Sequence, residues 1–152
     1  MSAEPLVVHH ANCLGCGPDN PASLGLQIQL EGERAFARLR LGPNHEGAPG
    51  FAHGGAIATA LDDTLGTLLL ALGRLAVTAS LHVEYRAPVL LGRDLDLEAW
   101  CEGIDGRKIR LAGEVREDGR VLAEARALFI EVDRTHFEAG GGSVPGHWWP
   151  EG

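Results

Sequence analysis

The sequence predicts an α+β domain in which an antiparallel sheet wraps around one long central helix. Apolar residues recur with helical spacing over residues 54–72, and they alternate with polar residues in six other segments. Asp-Gly pairs at 105–106 and 118–119 are typical of hairpin turns. A length of 152 residues with 45% hydrophobic content fits a single domain with one core.

The helix is predicted from six apolar residues at spacings of three and four: Ile57, Leu61, Leu65, Leu68, Leu69 and Leu72. Residues 65–72 are apolar nearly all the way round, which is typical of an enclosed helix. Gly73 is the expected C-terminal stop. At about 1.5 Å per residue the helix is nearly 30 Å long, enough to cross a small domain.

The strands flank this helix. Residues 26–30 and 35–41 alternate around a turn at 31–33, which predicts a hairpin before the helix. Four consecutive antiparallel strands are predicted after it, at 76–85, 94–103, 108–116 and 121–132.

We expect one domain over residues 1–137, opening with a loop segment at 1–24, followed by a tail at 138–152. Three consecutive glycines at 140–142 indicate a flexible link. Trp148 and Trp149 need partners, and three arrangements are open. They could fold back on the domain, dock on another subunit or remain exposed.

The net charge of −8 argues against nucleic acid or an acidic membrane surface as the main partner. The N-terminus lacks a charged leader followed by a long apolar run. No apolar stretch is expected to approach the roughly 20 residues that cross a bilayer. The composition therefore predicts a soluble, cytoplasmic protein without a membrane partner.

Two adjacent acids on the helix have different predicted environments. Asp62 borders the buried face, where an unpaired carboxylate is costly, so it is either a catalytic acid or a group that reaches water or an arginine. Asp63 lies about 100° further round and is expected to be solvated.

The helix entry His53-Gly54-Gly55 also has two interpretations. Glycine there could merely tolerate an unusual backbone angle. Alternatively, free N–H groups and the positive end of the helix dipole point at a substrate oxygen. Combined with an acid on the same helix, the entry suggests chemistry on a carbonyl.

Cys13 and Cys16 form a CxxC motif with His9 and His10 just upstream, and zinc can use such ligands. A strong zinc signal would include a second pair at matched spacing, whereas Cys101 stands alone and neither histidine has a spaced partner. We therefore predict a tight structural loop and no metal or other cofactor.

An ordered set of motifs gives the chain a family resemblance. It resembles the hotdog-fold acyl-CoA thioesterases of the PaaI-like group over residues 13–132. The matching motifs are Cys13-Leu14-Gly15-Cys16-Gly17, Asn20-Pro21, Gly25-Leu26, Pro49-Gly50-Phe51-Ala52-His53-Gly54-Gly55, Asp62, Val77-Thr78, Tyr85-Arg86-Ala87-Pro88-Val89, Gly106-Arg107-Lys108 and Asp118-Gly119.

The resemblance implies three catalytic positions. Gly54 resembles the glycine whose N–H polarises the thioester carbonyl, and Asp62 resembles the acid that attacks the thioester carbon or activates water. Thr78 matches the hydroxyl that orients this acid or the water. In such enzymes each site combines two subunits, which implies a homodimer or a dimer of dimers.

The resemblance also suggests residues that bind substrate. His53 and Gly55 belong to the turn at the site, His53 as a structural partner and not as a base. Relatives often place Asn or Gln shortly before this turn, and here Asn44 or Glu46 could fill that role. The CoA phosphates could meet three basic side chains: Arg86, Arg107 or Lys108.

The expected reaction is hydrolysis of the thioester of acyl-CoA. The alternative is a hotdog protein that binds acyl-CoA without turnover, as a sensor or carrier. A hotdog dehydratase acting on enoyl-CoA is a third hypothesis, disfavoured because the histidine–aspartate pairing it needs within one segment is not evident. The preferred acyl group is left open.

Overall fold

A computed structural model describes residues 5–142 and 144–148 of the chain. They form seven strands and one long helix, with short helical turns between and after them. The elements in order are β1 (Leu6–Val7), β2 (Gln27–Glu31), β3 (Arg34–Leu39), a 3-10 turn (Pro43–His45), α1 (Gly54–Leu72), β4 (Ala76–Tyr85), β5 (Leu95–Asp105), β6 (Lys108–Glu117), β7 (Arg120–Glu131), α2 (Thr135–Glu138) and a second 3-10 turn (Gly146–Trp148).

The strands form one sheet in the order β1-β2-β3-β5-β6-β7-β4, in which all neighbours are antiparallel. The predicted hairpins β2–β3, β5–β6 and β6–β7 are all present. β4 does not pair with β5, the next strand along the chain, but with β7, so that β4 forms one edge of the sheet. Alternating polarity identifies a strand but not its neighbour, which is why this crossover was not predicted.

α1 packs on this sheet and supplies much of the core. His53 is its N-cap, and Gly73 ends it in the left-handed conformation with φ 65°. The helix bounds agree with those predicted from periodicity. The largest side chains that are fully buried come from both layers: Ile28, Leu41, Ile57, Leu61, Leu65, Leu68, Leu95, Ile109, Leu111 and Leu122. The α+β prediction, with the sheet around one long helix, is confirmed.

Two expectations about α1 were wrong. By length and composition alone α1 could cross a bilayer, with a mean hydropathy of 1.4 over its best window, whereas no such stretch was expected. In this fold α1 is the core helix on the sheet, and core helices of this kind pass the same test. Asp63, expected to be solvated, is buried.

Candidate active site

The start of α1 leaves one backbone donor unused. The His53 Nδ1 accepts a hydrogen bond of 2.8 Å from the Gly55 N–H, so this amide is already engaged. Among the described residues, the Gly54 N–H has no acceptor. Gly54 therefore presents the free donor of the pair, at the positive end of the helix dipole.

Tyr85 fixes this helix start to the end of β4. Its hydroxyl donates a 2.6 Å hydrogen bond to the Gly54 carbonyl oxygen, and partial burial raises the pKa of the phenol above its ordinary value. A cavity of about 390 Å³ opens here, with Phe51, Tyr85 and Arg86 among its lining residues. Tyr85 was not predicted as a site residue, because a tyrosine at a strand end has no spacing that marks it.

Asp62 and Thr78 meet about two turns further along α1. Thr78 is the third residue of β4, and its hydroxyl donates a 2.8 Å hydrogen bond to the Asp62 carboxylate. Asp62 is partly buried and Thr78 is exposed. The fold therefore brings together two of the three residues predicted to be catalytic, and the hydrogen bond orients the carboxylate.

The Asp62–Thr78 pair lines a cavity of about 320 Å³. Most of the other lining side chains are apolar: Leu69, Leu70, Leu75, Val77, Phe129, Phe137 and Trp148. Trp148 folds back on the domain, where its indole N–H donates a 2.6 Å hydrogen bond to the His9 carbonyl oxygen. This is one of the three arrangements left open from the sequence, and Trp149 lies outside the described residues.

The N-terminal loop covers Asp63 with groups that can ionise. The His9 Nδ1 and the Cys13 Sγ lie 3.2 and 3.3 Å from the Asp63 Oδ1, and the Cys16 Sγ lies 3.2 Å from the His9 Nδ1. The view that His9 has no partner was therefore wrong. It failed because the partner lies 54 residues away, on the helix.

The pKa values in this cluster are displaced by burial and by the close contacts. Burial, opposed by the charge of His9, raises the pKa of Asp63 to about 7. A hydrogen bond from Cys16 lowers the pKa of Cys13 to about 3, and the same contact raises the pKa of Cys16. Burial lowers the pKa of His9, but its contact with Cys13 and the charge of Asp63 outweigh that effect, so this pKa is raised.

The two candidates before the helix have different environments. The Glu46 carboxylate accepts a 2.8 Å hydrogen bond from the Gly50 N–H, so it holds the loop that leads into His53. Asn44 is exposed in the 3-10 turn.

The three predicted basic residues lie at two ends of the sheet. Arg86 follows β4 beside the cavity at Gly54 and contacts the Glu124 carboxylate at 3.2 Å. Arg107 and Lys108 lie at the β5–β6 turn, where the Arg107 guanidinium donates to the Glu131 carbonyl oxygen. Within one chain these cations do not form a single cluster.

Gly54 and Asp62 are also separated within one chain. Eight residues of α-helix place them about 12 Å apart along the axis. They line different cavities, with Gly54 in that of about 390 Å³ and Asp62 in that of about 320 Å³. One chain therefore does not place the free N–H and the carboxylate around one carbonyl.

Comparison with known sequences places the part of the chain that contains Gly54, Asp62 and Thr78 in one family. The thioesterase superfamily profile matches residues 49–136. Acyl-coenzyme A thioesterase THEM4 of Xenopus laevis is 41% identical over 101 residues, which are 65% of this chain and 46% of that protein. The Mus musculus protein of the same name is 35% identical over 103 residues, 66% of this chain and 44% of that protein. The chain thus spans less than half the length of these curated relatives.

Solved structures share the fold. A crystal structure described as a thioesterase superfamily protein has a TM-score of 0.71 and 33% identity, covering 75% of this chain and 57% of its own. The E. coli PaaI protein from the phenylacetic acid degradation operon has a TM-score of 0.69 and covers 76% of this chain and 88% of its own. Its 16% identity shows a shared fold alone.

Proposed function

Because the chain belongs to the thioesterase superfamily, we propose that it hydrolyses the thioester bond of acyl-CoA. The observation that carries this proposal is the Asp62–Thr78 hydrogen bond at the wall of an apolar cavity of about 320 Å³. The relatives at 35–41% identity are named acyl-coenzyme A thioesterases, which supports this substrate class.

Asp62 is the proposed catalytic group. As a carboxylate it either attacks the thioester carbon or takes a proton from the attacking water. Thr78 donates to one carboxylate oxygen and so fixes the orientation of the carboxylate, whose residue lines the cavity. The acyl chain would lie along the apolar wall, where burial is worth about 0.8 kcal/mol per methylene.

Gly54 supplies the proposed oxyanion donor. Its N–H is the free amide at the start of α1, and the Tyr85 hydroxyl holds the same residue through its carbonyl. In sites of this kind one such donor is worth about 3 to 4 kcal/mol of transition-state stabilisation. The amide is therefore expected to matter about as much as the orientation of the acid.

The active enzyme is proposed to be a homodimer formed through β4. β4 is a ten-residue edge strand, and exposed edges of that length favour pairing with another chain. Thr78 lies near one end of β4 and Tyr85 at the other. Antiparallel pairing of two copies would bring the Asp62–Thr78 end of one chain to the Gly54–Tyr85 end of its partner.

The same pairing would unite the basic residues. Arg86 is at the Gly54 end of the sheet, whereas Lys108 pairs with Ile130, which also pairs with Val77 near Thr78. Two antiparallel copies would therefore place Arg86 of one chain near the Arg107–Lys108 turn of the other. We propose that these cations meet the phosphates of CoA.

A panel of acyl-CoA thioesters, assayed by release of free thiol, tests the activity and the role of Asp62 together. Asp62→Asn keeps the shape of the side chain but removes the base or nucleophile, so turnover should fall at least about a hundredfold while acyl-CoA still binds. Asp96→Asn is the control, because Asp96 is exposed on β5 and its nearest cation, Arg38, lies 3.9 Å away.

Three results would contradict parts of the proposal. An Asp62→Asn protein with full activity would remove Asp62 from the mechanism. Tight binding of acyl-CoA by the unmodified protein without thiol release across the panel would favour the carrier or sensor alternative. Hydration of enoyl-CoA without thiol release would favour the dehydratase.

A further inference from the structure

Four side chains that ligate metals converge beside the proposed active site. His9, Cys13, Cys16 and Asp63 each offer one ligand atom, and these atoms all lie within 4.8 Å of one another. Three of these separations are 3.2 Å for His9 Nδ1 to Asp63 Oδ1, 3.2 Å for Cys16 Sγ to His9 Nδ1 and 3.3 Å for Cys13 Sγ to Asp63 Oδ1.

These separations approach those of ligands around a tetrahedral zinc ion. With zinc–ligand bonds of about 2.0 to 2.3 Å, the edges of such a tetrahedron are about 3.3 to 3.8 Å. Two thiolates, an imidazole and a carboxylate are also ligands that zinc accepts. We propose that His9, Cys13, Cys16 and Asp63 bind one structural zinc ion.

The buried carboxylate independently points to a cation. Asp63 is 9% exposed, and its Oδ2 has no hydrogen-bond partner among the described residues. A buried carboxylate oxygen without a partner is costly. A zinc ion bound to this carboxylate would offset that cost without any change in the fold.

The backbone of the loop is shaped to hold the two sulfurs. The Gly15 N–H donates a 3.3 Å hydrogen bond to the Cys13 Sγ, which stabilises a thiolate in the way that outer-shell donors support metal ligands. A Cβ at Gly15 would lie 2.3 Å from the Asp63 Oδ2, and one at Gly17 would lie 2.3 Å from the Cys13 backbone nitrogen. Glycine at 15 therefore allows the loop to approach the helix so closely, and glycine at 17 allows the loop to fold tightly on itself.

The proposed site is structural because its four ligands all come from the protein. A tetrahedral zinc ion with four protein ligands has no open position for water or substrate. It would fix the N-terminal loop to α1 at Asp63, next to Asp62. His9 and Asp63 also line the proposed acyl cavity, and Trp148 packs on the His9 ring at 5.6 Å between centroids. Zinc would therefore stabilise one wall of that cavity.

The test begins with metal content. The full chain is purified under reducing conditions without a histidine tag, and its zinc is measured by mass spectrometry. About one zinc per chain is expected. The zinc-free protein is then titrated with Co²⁺, which should give sulfur-to-metal charge transfer and the strong visible bands of a tetrahedral site. Absence of zinc together with absence of these bands would overturn the proposal and leave a hydrogen-bonded cluster or a Cys13–Cys16 disulfide.

Matched variants assign the ligands. Cys13→Ser, His9→Asn and Asp63→Asn should each weaken zinc binding at least about tenfold and lower the melting temperature. Their controls are Cys101→Ser, His10→Asn and Asp62→Asn, which should bind zinc like the unmodified chain. Equal zinc binding by ligand and control variants would place the metal elsewhere. The Co²⁺ spectrum of the unmodified chain decides the question even where a ligand variant does not fold.

This measurement uses no substrate, so it is independent of the proposed hydrolysis. A chain that binds zinc but releases no thiol would keep the zinc site and lose the proposed function. A chain that turns over acyl-CoA without zinc or cobalt binding would do the reverse.

Discussion

Asp62 and Asp63 are neighbours on one helix, and the fold gives them opposite environments. Asp62 faces the cavity and accepts from Thr78, whereas Asp63 lies beneath the N-terminal loop against Cys13 and His9. The 100° between consecutive helical residues is enough to place one within reach of Thr78 and the other in a buried polar cluster.

The sequence predicted only half of this arrangement. Periodicity gives the face of α1 that packs on the sheet, and Asp62 was correctly placed at its border. Burial of Asp63 comes instead from residues 9–17, a loop without periodic structure. This loop contacts a helix residue that lies 46 or more positions further along the chain, and such contacts leave no signal in the helix pattern. The cluster could therefore not be predicted, although its CxxC motif was recognised.

Thr78 should act on the rate of the chemical step. Thr78→Ala removes a hydrogen bond to a charged group, which is worth about 1.5 to 3 kcal/mol, so kcat should fall roughly ten- to a hundredfold with a smaller change in KM. Thr78→Ser restores the hydroxyl and should recover most of the rate. Steady-state kinetics on one good acyl-CoA measures both, and a change in KM alone would limit Thr78 to substrate binding.

At the scale of elements, most strands were predictable because one face of each is buried, whereas the same face of β4 is only half-buried. Alternating polarity and the two Asp-Gly turns located β2 to β7 to within two residues at every end. β1 was missed because it has only two residues, Leu6 and Val7, which is too short for a period to show. The place of β4 at the sheet edge depends on tertiary packing, which a local pattern does not contain.

The outer edge of β4 can be tested with a single proline. The Arg86 N–H donates to the Leu122 carbonyl oxygen, and Glu84 pairs with Glu124 in the same register. Alternate amides therefore point at β7, and the Val83 N–H points away from it. Proline is tolerated where the ladder does not need the N–H, so Val83→Pro should fold. It would, however, lose a backbone N–H that could donate a hydrogen bond to β4 of a second copy.

We expect Val83→Pro to shift the protein to monomer, measured by size-exclusion chromatography with light scattering, and to lose at least about tenfold in activity because each site would lack its partner half. Val83→Ala is the control for the lost side chain and should remain a dimer. A fully active Val83→Pro monomer would contradict assembly through β4.

The C-terminal segment is expected to set acyl-chain length. Trp148 closes one side of the cavity, between Phe137 and His9. Trp148→Ala should enlarge the cavity and raise the ratio of kcat/KM for dodecanoyl-CoA to that for butanoyl-CoA. Each methylene newly buried is worth up to about 0.8 kcal/mol, or roughly fourfold. Trp100→Phe is the control. Trp100 is on β5, where its ring contacts the guanidinium of Arg34 on β3, and it does not line this cavity. An unchanged ratio would mean that the acyl chain lies elsewhere.

At the scale of the whole molecule, the two halves of the proposed chemistry lie about 12 Å apart along one helix. The free amide of Gly54 and the carboxylate of Asp62 line separate cavities, each incomplete for acting on a thioester. Two copies related by a two-fold axis would complete both sites at once, since an isologous interface repeats every contact. Activity is therefore expected to be a property of the pair.

Subunit mixing tests this directly. Gly54→Pro removes the N–H donor. The position accepts proline because it is the first helical residue and because His53 before it is already extended. A Cβ at Gly54 would also approach no closer than 3.4 Å, at the Tyr85 hydroxyl. Gly54→Pro and Asp62→Asn should each be nearly inactive alone. Co-expressed chains that pair at random form heterodimers in half of the molecules, each with one intact site of two, so about a quarter of the unmodified activity should return. Thiol release from heterodimers verified by native mass spectrometry measures this recovery, and heterodimers without activity would place the whole site within a single chain.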